Sequence, residues 1–152
     1  YTFTSEDDFK NKVSNDFFLE HALVHGNFYG TSKDFVETKI AEGINIILEI
    51  DVQGVQQIKS TNFPHESIFL WPPSIDSLTE RLNERGTNSK ESIELRLSNA
   101  MKEIPSCKDY DHILVNDVFE DCCNDLARII TGEDSFPMNS KKELFLTKLL
   151  NS

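Results

Sequence analysis

Residues 44–51 read Ile44-Asn45-Ile46-Ile47-Leu48-Glu49-Ile50-Asp51, a nearly continuous branched apolar run closed by an acid. Such a run fits a parallel strand buried on both faces, because only a sheet covered by helices on each side hides every successive side chain. A helix is then expected over residues 52–60. A second apolar run, Ser67-Ile68-Phe69-Leu70-Trp71, stops at Pro72-Pro73, and Ser74 is placed to cap a helix carrying Ile75, Leu78 and Leu82. After the glycine-bearing break Arg85-Gly86-Thr87-Asn88 comes a helical pattern with Ile93, Leu97, Ala100 and Ile104. His112-Ile113-Leu114-Val115-Asn116 reads as a third short strand, followed by a helix holding Leu126, Ile129 and Ile130. Strand and helix in alternation is the pattern of an α/β domain built on a parallel sheet.

Upstream of residue 44 the elements are shorter and mixed, as in a small insert beside the sheet. Thr4-Ser5-Glu6-Asp7-Asp8 has the hydroxyl caps and first-turn carboxylates of a helix start, and Phe9 and Val13 would share one face. Residues 17–24 read as a strand pair leading into the turn His25-Gly26-Asn27-Phe28-Tyr29-Gly30-Thr31-Ser32. Ser32 can cap a helix with Phe35, Val36 and Ile40 that ends near Gly43. At the other end, residues 132–139 read as a linker. Ser140-Lys141-Lys142-Glu143 can form a capping box for an amphipathic helix with Leu146, Leu149 and Leu150.

The net charge of −11 over 152 residues repels polyanions, so nucleic acid polymers and anionic membranes are poor partners. A small anion is not excluded, since a few local arginines outweigh the global field at short range. No apolar run approaches the roughly 20 residues that span a bilayer, and no basic-then-apolar leader opens the chain. The 3 cysteines, Cys107, Cys122 and Cys123, are odd in number and lack Cys-x-x-Cys spacing, which fits a reducing compartment, the cytoplasm, better than a disulfide framework or a zinc site. His21, His25, His65 and His112 show no metal-ligand spacing, so no protein-held metal is expected.

In open α/β sheets, ligands lie beyond the carboxyl ends of the strands. Two such ends are polar here, Glu49-Ile50-Asp51 and Asn116-Asp117; each alone serves as well to cap the next helix. Arg85 and Arg96 flank a polar segment able to swing over a ligand, and guanidinium groups bind phosphate oxygens bidentately. They fit equally as solvated arginines paired with Glu80, Glu84 or Glu94. In the octapeptide, Gly26 and Gly30 permit tight turning and close approach to a ligand. The Tyr29 and Thr31 hydroxyls can donate to phosphate or carbonyl oxygen. Glu20, just upstream, can accept two hydrogen bonds from a base edge; guanine offers adjacent N–H donors there and adenine does not. A hairpin with a surface tyrosine is the plainer alternative.

These residues, taken in order, resemble guanylate kinase. The carrying segments are Tyr1-Thr2-Phe3, Phe18-Leu19-Glu20, His25-Gly26-Asn27-Phe28-Tyr29-Gly30-Thr31, Leu48-Glu49-Ile50-Asp51-Val52-Gln53-Gly54, Pro72-Pro73-Ser74, Arg81-Leu82 with Arg85-Gly86-Thr87, Arg96-Leu97, and Val115-Asn116-Asp117. They run collinearly from residue 1 to about residue 131 and leave the tail uncovered. The resemblance implies a P-loop-type nucleoside monophosphate kinase that passes a phosphoryl group from ATP to GMP, with Mg²⁺ accompanying ATP. It implies that Tyr1 and Tyr29 hold the GMP phosphate, that Glu20 and Thr31 read guanine, and that Glu49 and Asp51 lie where the GMP and ATP sites meet. Arg85 and Arg96 would be lid arginines on the transferring group, and Asn116 and Asp117 would border adenine. It divides the chain into a partial GMP-binding subdomain (1–43), core (44–84), lid (85–97), core (98–131) and a C-terminal extension (132–152).

The family's opening strand, its Gly-x-x-x-x-Gly-Lys-Ser/Thr phosphate loop and the arginines for the GMP phosphate have no counterpart in this sequence. The expectation is therefore about the C-terminal three-quarters of a guanylate kinase: a core lacking its first strand, with a mixed α/β GMP-binding insert, incomplete for catalysis as it stands. The alternative is a guanylate-kinase-like module that grips phosphopeptide or GMP without catalysis. Retention of Arg85, Arg96 and the Asn116-Asp117 pair favours the enzyme. Oligomeric state is not encoded in any pattern of the sequence.

Overall fold

The computed structural model describes residues 2–24, 26–84 and 89–132, and the chain divides into two compact units, Tyr1–His65 and Glu66–Ser152. Tyr1, Arg85 with the rest of residues 85–88, and the expected linker and tail helix beyond residue 132 lie outside the described residues.

The first unit opens with helix α1 (Glu6–Ser14), whose N-terminus is closed by the Ser5 hydroxyl accepting from the Asp8 N–H, with Glu6, Asp7 and Asp8 in the first turn. Carboxylates there meet the positive end of the helix dipole. Strands β1 (Phe18–Val24) and β2 (Asn27–Ser32) form an antiparallel hairpin turned at Gly26, whose φ of 82° suits glycine. The pairing slips between Phe18, opposite Ser32, and Glu20, opposite Thr31, so Leu19 is an extra residue in β1. That bulge lets Leu19 and Glu20 both be buried although they are adjacent. Phe18 consequently turns to α1, where Phe9 stacks on Phe18 and Phe28 with ring centroids 4.6 and 5.2 Å apart. Helix α2 (Lys33–Ala41) is capped by Ser32 and helix α3 (Val52–Lys59) by Asp51. Leu19, Val36 and Ile58 form the core of this unit, with Leu48, Ile50 and Phe63 packed on it.

Two expectations are corrected in this unit. Residues 17–24 supply one strand, not a pair, and most of the octapeptide is the second strand rather than a turn. At Gly30 the Phe18 ring comes close: a Cβ there would meet it at 2.8 Å. The run 44–51 is not a doubly buried strand either. Residues 44–50 form no ladder, and the described strands offer them no partner. Leu48 and Ile50 pack on the core, whereas Ile47, on the other face, is 69% exposed. An extended segment alternates its side chains, so one face is buried and the other stays open unless a neighbouring strand brings a covering layer.

In the second unit, β3 (Ile68–Trp71) and β4 (His112–Val115) pair in parallel, Ile68 opposite His112 and Trp71 opposite Val115. The chain crosses between them through α4 (Ile75–Glu84), α5 (Lys90–Glu103) and a 3₁₀ turn (Ile104–Asp109), and α6 (Phe119–Thr131) follows β4. Ser74 caps α4 as expected, its hydroxyl accepting from the Ser77 N–H, and Ser89 caps α5. The strand pair is clamped at its start: Ser67 donates N–H and hydroxyl to the Asp111 carboxylate at 2.8 and 2.6 Å and accepts the Asp111 N–H at 3.1 Å. Phe69, Trp71, Leu82, Ile104, Tyr110 and Leu114 are buried here. Gly132 ends α6 in the left-handed conformation, φ 67°.

Candidate functional site

Among the described residues two polar side chains are buried, Ser67 and Glu20. Ser67 is accounted for by its clamp to Asp111. Glu20 is a carboxylate only 4% exposed, and removing such a group from water is costly unless it is hydrogen-bonded. Its partner is Thr31, directly across the hairpin, whose Oγ1 donates to Glu20 Oε1 at 2.5 Å. The hairpin turn sets this meeting: pairing runs unbroken from Val24 opposite Asn27 to Glu20 opposite Thr31, and the bulge at Leu19 lies beyond it. Alternation along the strands then places Tyr29, opposite Ala22, on the same hairpin face as Thr31 and Glu20. Tyr29 is 45% exposed, open to a ligand from solvent.

Helix α3 comes against β1 at Glu20. A Cβ built on Gly54 would lie 3.0 Å from Glu20 Oε2, so the glycine is what admits the carboxylate. One turn on, Gln57 bonds the backbone of His21 twice: its Nε2 donates to the carbonyl at 2.7 Å and its Oε1 accepts the N–H at 3.0 Å. Gly54 falls in one of the segments that carry the family resemblance, though with no role implied for it; Gln57 carries no sequence signal, since an isolated glutamine in a helical pattern reads as neutral. Asp51, read as a site residue, is the N-cap of α3; its carboxylate accepts the Gly54 N–H at 2.9 Å and the Gln53 amide at 3.2 Å. Glu49 is exposed, two residues earlier on the same side of the extended segment.

In the second unit Arg96 projects from α5, and its Nε is buried with no hydrogen-bond partner among the described residues. Asn116 follows β4, its N–H donating to the Trp71 carbonyl at 2.7 Å, and the exposed Asp117 accepts Arg81 at its carbonyl. At the N-terminus of α5, Glu91 is held below the ordinary carboxylate range by its own backbone N–H and then by the Ser89 hydroxyl. Cys107 and Cys122 are buried and Cys123 is exposed, none of them in a disulfide among the described residues. Burial, and then the nearby Cys123 and Asp125, push the Cys122 thiol up. Among the described residues no group of three His, Cys, Asp or Glu can hold a metal, and no helix is long and apolar enough to cross a membrane.

A parallel strand pair with a helical crossover, and a hairpin bearing a sequestered acceptor, make an α/β protein. The guanylate kinase family model matches residues 1–133, and the chain belongs to that family. It is 40% identical over 152 residues to the guanylate kinase of Buchnera aphidicola subsp. Acyrthosiphon pisum, covering 99% of this chain and 73% of that one. It is 45% identical over 134 residues to the guanylate kinase of Escherichia coli K12, covering 88% of this chain and 64% of that one. Its structure is similar to a crystal structure of guanylate kinase from Anaplasma phagocytophilum, with TM-score 0.71 and 30% identity over 97% of this chain and 73% of that one. The chain thus spans between 64% and 73% of the length of these relatives. The Buchnera match reaches into the tail that the motif resemblance leaves uncovered.

Proposed function

We propose that the full-length protein is a guanylate kinase, transferring the terminal phosphoryl group of ATP to GMP to give ADP and GDP. The observation that carries this reading is the Glu20–Thr31 pair: a carboxylate 4% exposed, held by one cross-strand hydroxyl. Such an acceptor can take the adjacent N1 and N2 hydrogens of guanine. Adenine would leave it unpaired, and a buried polar group without its partner discriminates strongly. The Thr31 proton goes to Glu20. When guanine's N–H groups reach the carboxylate, the hydroxyl is free to turn to the base carbonyl, so one exchange satisfies all three groups.

Tyr29 on the same hairpin face is assigned to the GMP phosphate together with Tyr1, and Glu49 and Asp51 take the carboxylate positions beside the nucleotides. Arg96 and Arg85 are assigned to the transferring phosphoryl group, Asn116 and Asp117 to the adenine edge of ATP. A guanidinium whose Nε is buried and has no partner among the described residues suits a group that gains its partner with substrate, and this favours phosphoryl transfer over a peptide-gripping module. Mg²⁺ would be carried on the ATP phosphates as the co-substrate's ion, no group of three His, Cys, Asp or Glu among the described residues being placed to hold it. When bound, the ion neutralises charge on the β- and γ-phosphates. The division into GMP-binding segment (1–43), core (44–84 and 98–131), lid (85–97) and extension (132–152) follows from the same reading. Cysteines in no disulfide among the described residues, Cys107, Cys122 and Cys123, support the cytoplasm as its compartment.

The test is a coupled assay of ADP formation from ATP and GMP with Mg²⁺, using the full-length protein and its Glu20→Gln variant. Turnover with GMP and not AMP is expected, and the variant should raise KM for GMP far more than KM for ATP. No ADP above background in the unaltered protein, or equal loss for both nucleotides in the variant, would refute the reading.

A further inference from the structure

We propose that Gln57 is a positioning residue for the base-reading carboxylate, acting with Gly54 on one face of α3. The inference rests on Glu20 being the guanine acceptor. Edge strands expose alternate backbone groups, and on β1 the N–H and C=O of His21 point away from β2. The Gln57 amide meets both, at 3.0 and 2.7 Å, as a neighbouring strand would. A two-point bond fixes distance and rotation, where a single bond would fix only distance. His21 is the residue next to Glu20, and the peptide linking them therefore cannot roll or slide along α3. Three residues before Gln57, on the same side of the helix, Gly54 sets the remaining coordinate. A Cβ there would stand 3.0 Å from Glu20 Oε2 and 3.2 Å from Ile50 Cβ and Cδ1. The carboxylate is the movable party, so a methyl group would displace the acceptor before it displaced the fold. Thr31 then holds the other oxygen, Oε1, at 2.5 Å. The carboxylate is thus fixed by the strand across from it and by the helix beside it, and α3 contributes through these two residues.

Guanine recognition needs both N–H groups aligned with the carboxylate, so a small displacement weakens the pair before it weakens a single bond. Inosine monophosphate, which lacks the 2-amino group, supplies the measure. The ratio of kcat/KM for GMP to that for inosine monophosphate is read for the full-length protein and for Gln57→Leu, Gly54→Ala and Glu20→Gln. Gln57→Leu and Gly54→Ala should each raise KM for GMP and lower the ratio by about 10-fold, the scale of a strained hydrogen-bonding specificity contact, with KM for ATP unchanged. In the Glu20→Gln background, adding Gln57→Leu should leave the ratio where Glu20→Gln put it, since residues acting through one group are not additive. A merely structural Gln57 would lower the melting temperature and kcat while the ratio stayed fixed, and that result overturns the proposal. Should Gln57→Leu not fold, Gly54→Ala decides alone: a ratio within 2-fold of the parent, on the same scale of reasoning, refutes the role of α3. If Glu20→Gln itself leaves the ratio intact, the fault lies with the assignment of Glu20 and not with its positioning.

Discussion

Thr31 and Glu20 face each other because the hairpin register runs unbroken to them from the turn at Gly26, and the consequence is measurable at single side chains. Thr31→Val keeps the shape and removes the proton that Glu20 accepts. The buried carboxylate then lacks its cross-strand donor, so stability should fall by about 1–3 kcal/mol, read from the shift of a urea midpoint. KM for GMP should rise while KM for ATP holds; a loss shared by both would mean that the pair only supports the fold. Arg96 is of a different kind. Truncation to alanine removes a group proposed to act on the transferring phosphoryl, so kcat should drop on the order of 100-fold with little change in KM for GMP; single-turnover rates check it, and a pure KM effect would take Arg96 out of the chemistry. The thiols differ too. Burial first, and then Cys123 and Asp125, raise the Cys122 pKa, so less thiolate exists at neutral pH and its reactivity should climb only as pH passes the ordinary thiol range. Iodoacetamide at pH 7 should label the exposed Cys123 ahead of Cys122 and Cys107, as peptide mass mapping will show.

Helices were the legible elements, because their ends are written in hydroxyls and acids. Ser5, Ser32 and Ser74 stand at the starts of α1, α2 and α4, where the pattern puts them. Strands were less so. Periodicity marks which residues are extended, and Leu48 and Ile50 are indeed turned to the core; but pairing is a property of two segments, and nothing local to residues 44–50 says whether a partner is present. The bulge at Leu19 was equally invisible, since one inserted residue changes facing without changing composition. For the same reason Glu20 and Thr31 were nameable from their motif, whereas the role of Gly54 and the presence of Gln57, whose effects depend on where α3 lies against β1, were not. The Ser67–Asp111 clamp is another long-range device of this sort. Ser67→Ala removes a donor to the Asp111 carboxylate and the acceptor of the Asp111 N–H at the head of the parallel strand pair. A loss of about 1–3 kcal/mol is expected, with KM for GMP unaltered. An unchanged denaturation midpoint would show that solvent replaces both bonds without cost.

Across the whole chain, a net charge of −11 opposes any anion at long range, so nucleotide recognition has to be local. The proposed guanine and GMP residues Glu20, Tyr29, Thr31, Glu49 and Asp51 fall in the unit Tyr1–His65; Arg96, Asn116 and Asp117 fall in Glu66–Ser152. Local recognition implies local protection. A ligand stabilises only the states that bind it, by RT ln(1 + [L]/Kd), which is about 2.7 kcal/mol at a hundredfold excess over Kd, or about 100-fold slower exchange for amides that open with its site. Hydrogen exchange of the full-length protein with GMP alone should therefore show its largest slowing in residues 18–32 and 51–59, the hairpin and α3. Under the assignment of Asn116 and Asp117, ATP with Mg²⁺ should instead slow residues 115–120 first. The order matters more than the size. Were GMP to protect β3, β4 and α6 as strongly as the hairpin, its binding would not be a property of the Glu20 face, and the assignment of the base-reading residues would have to be withdrawn.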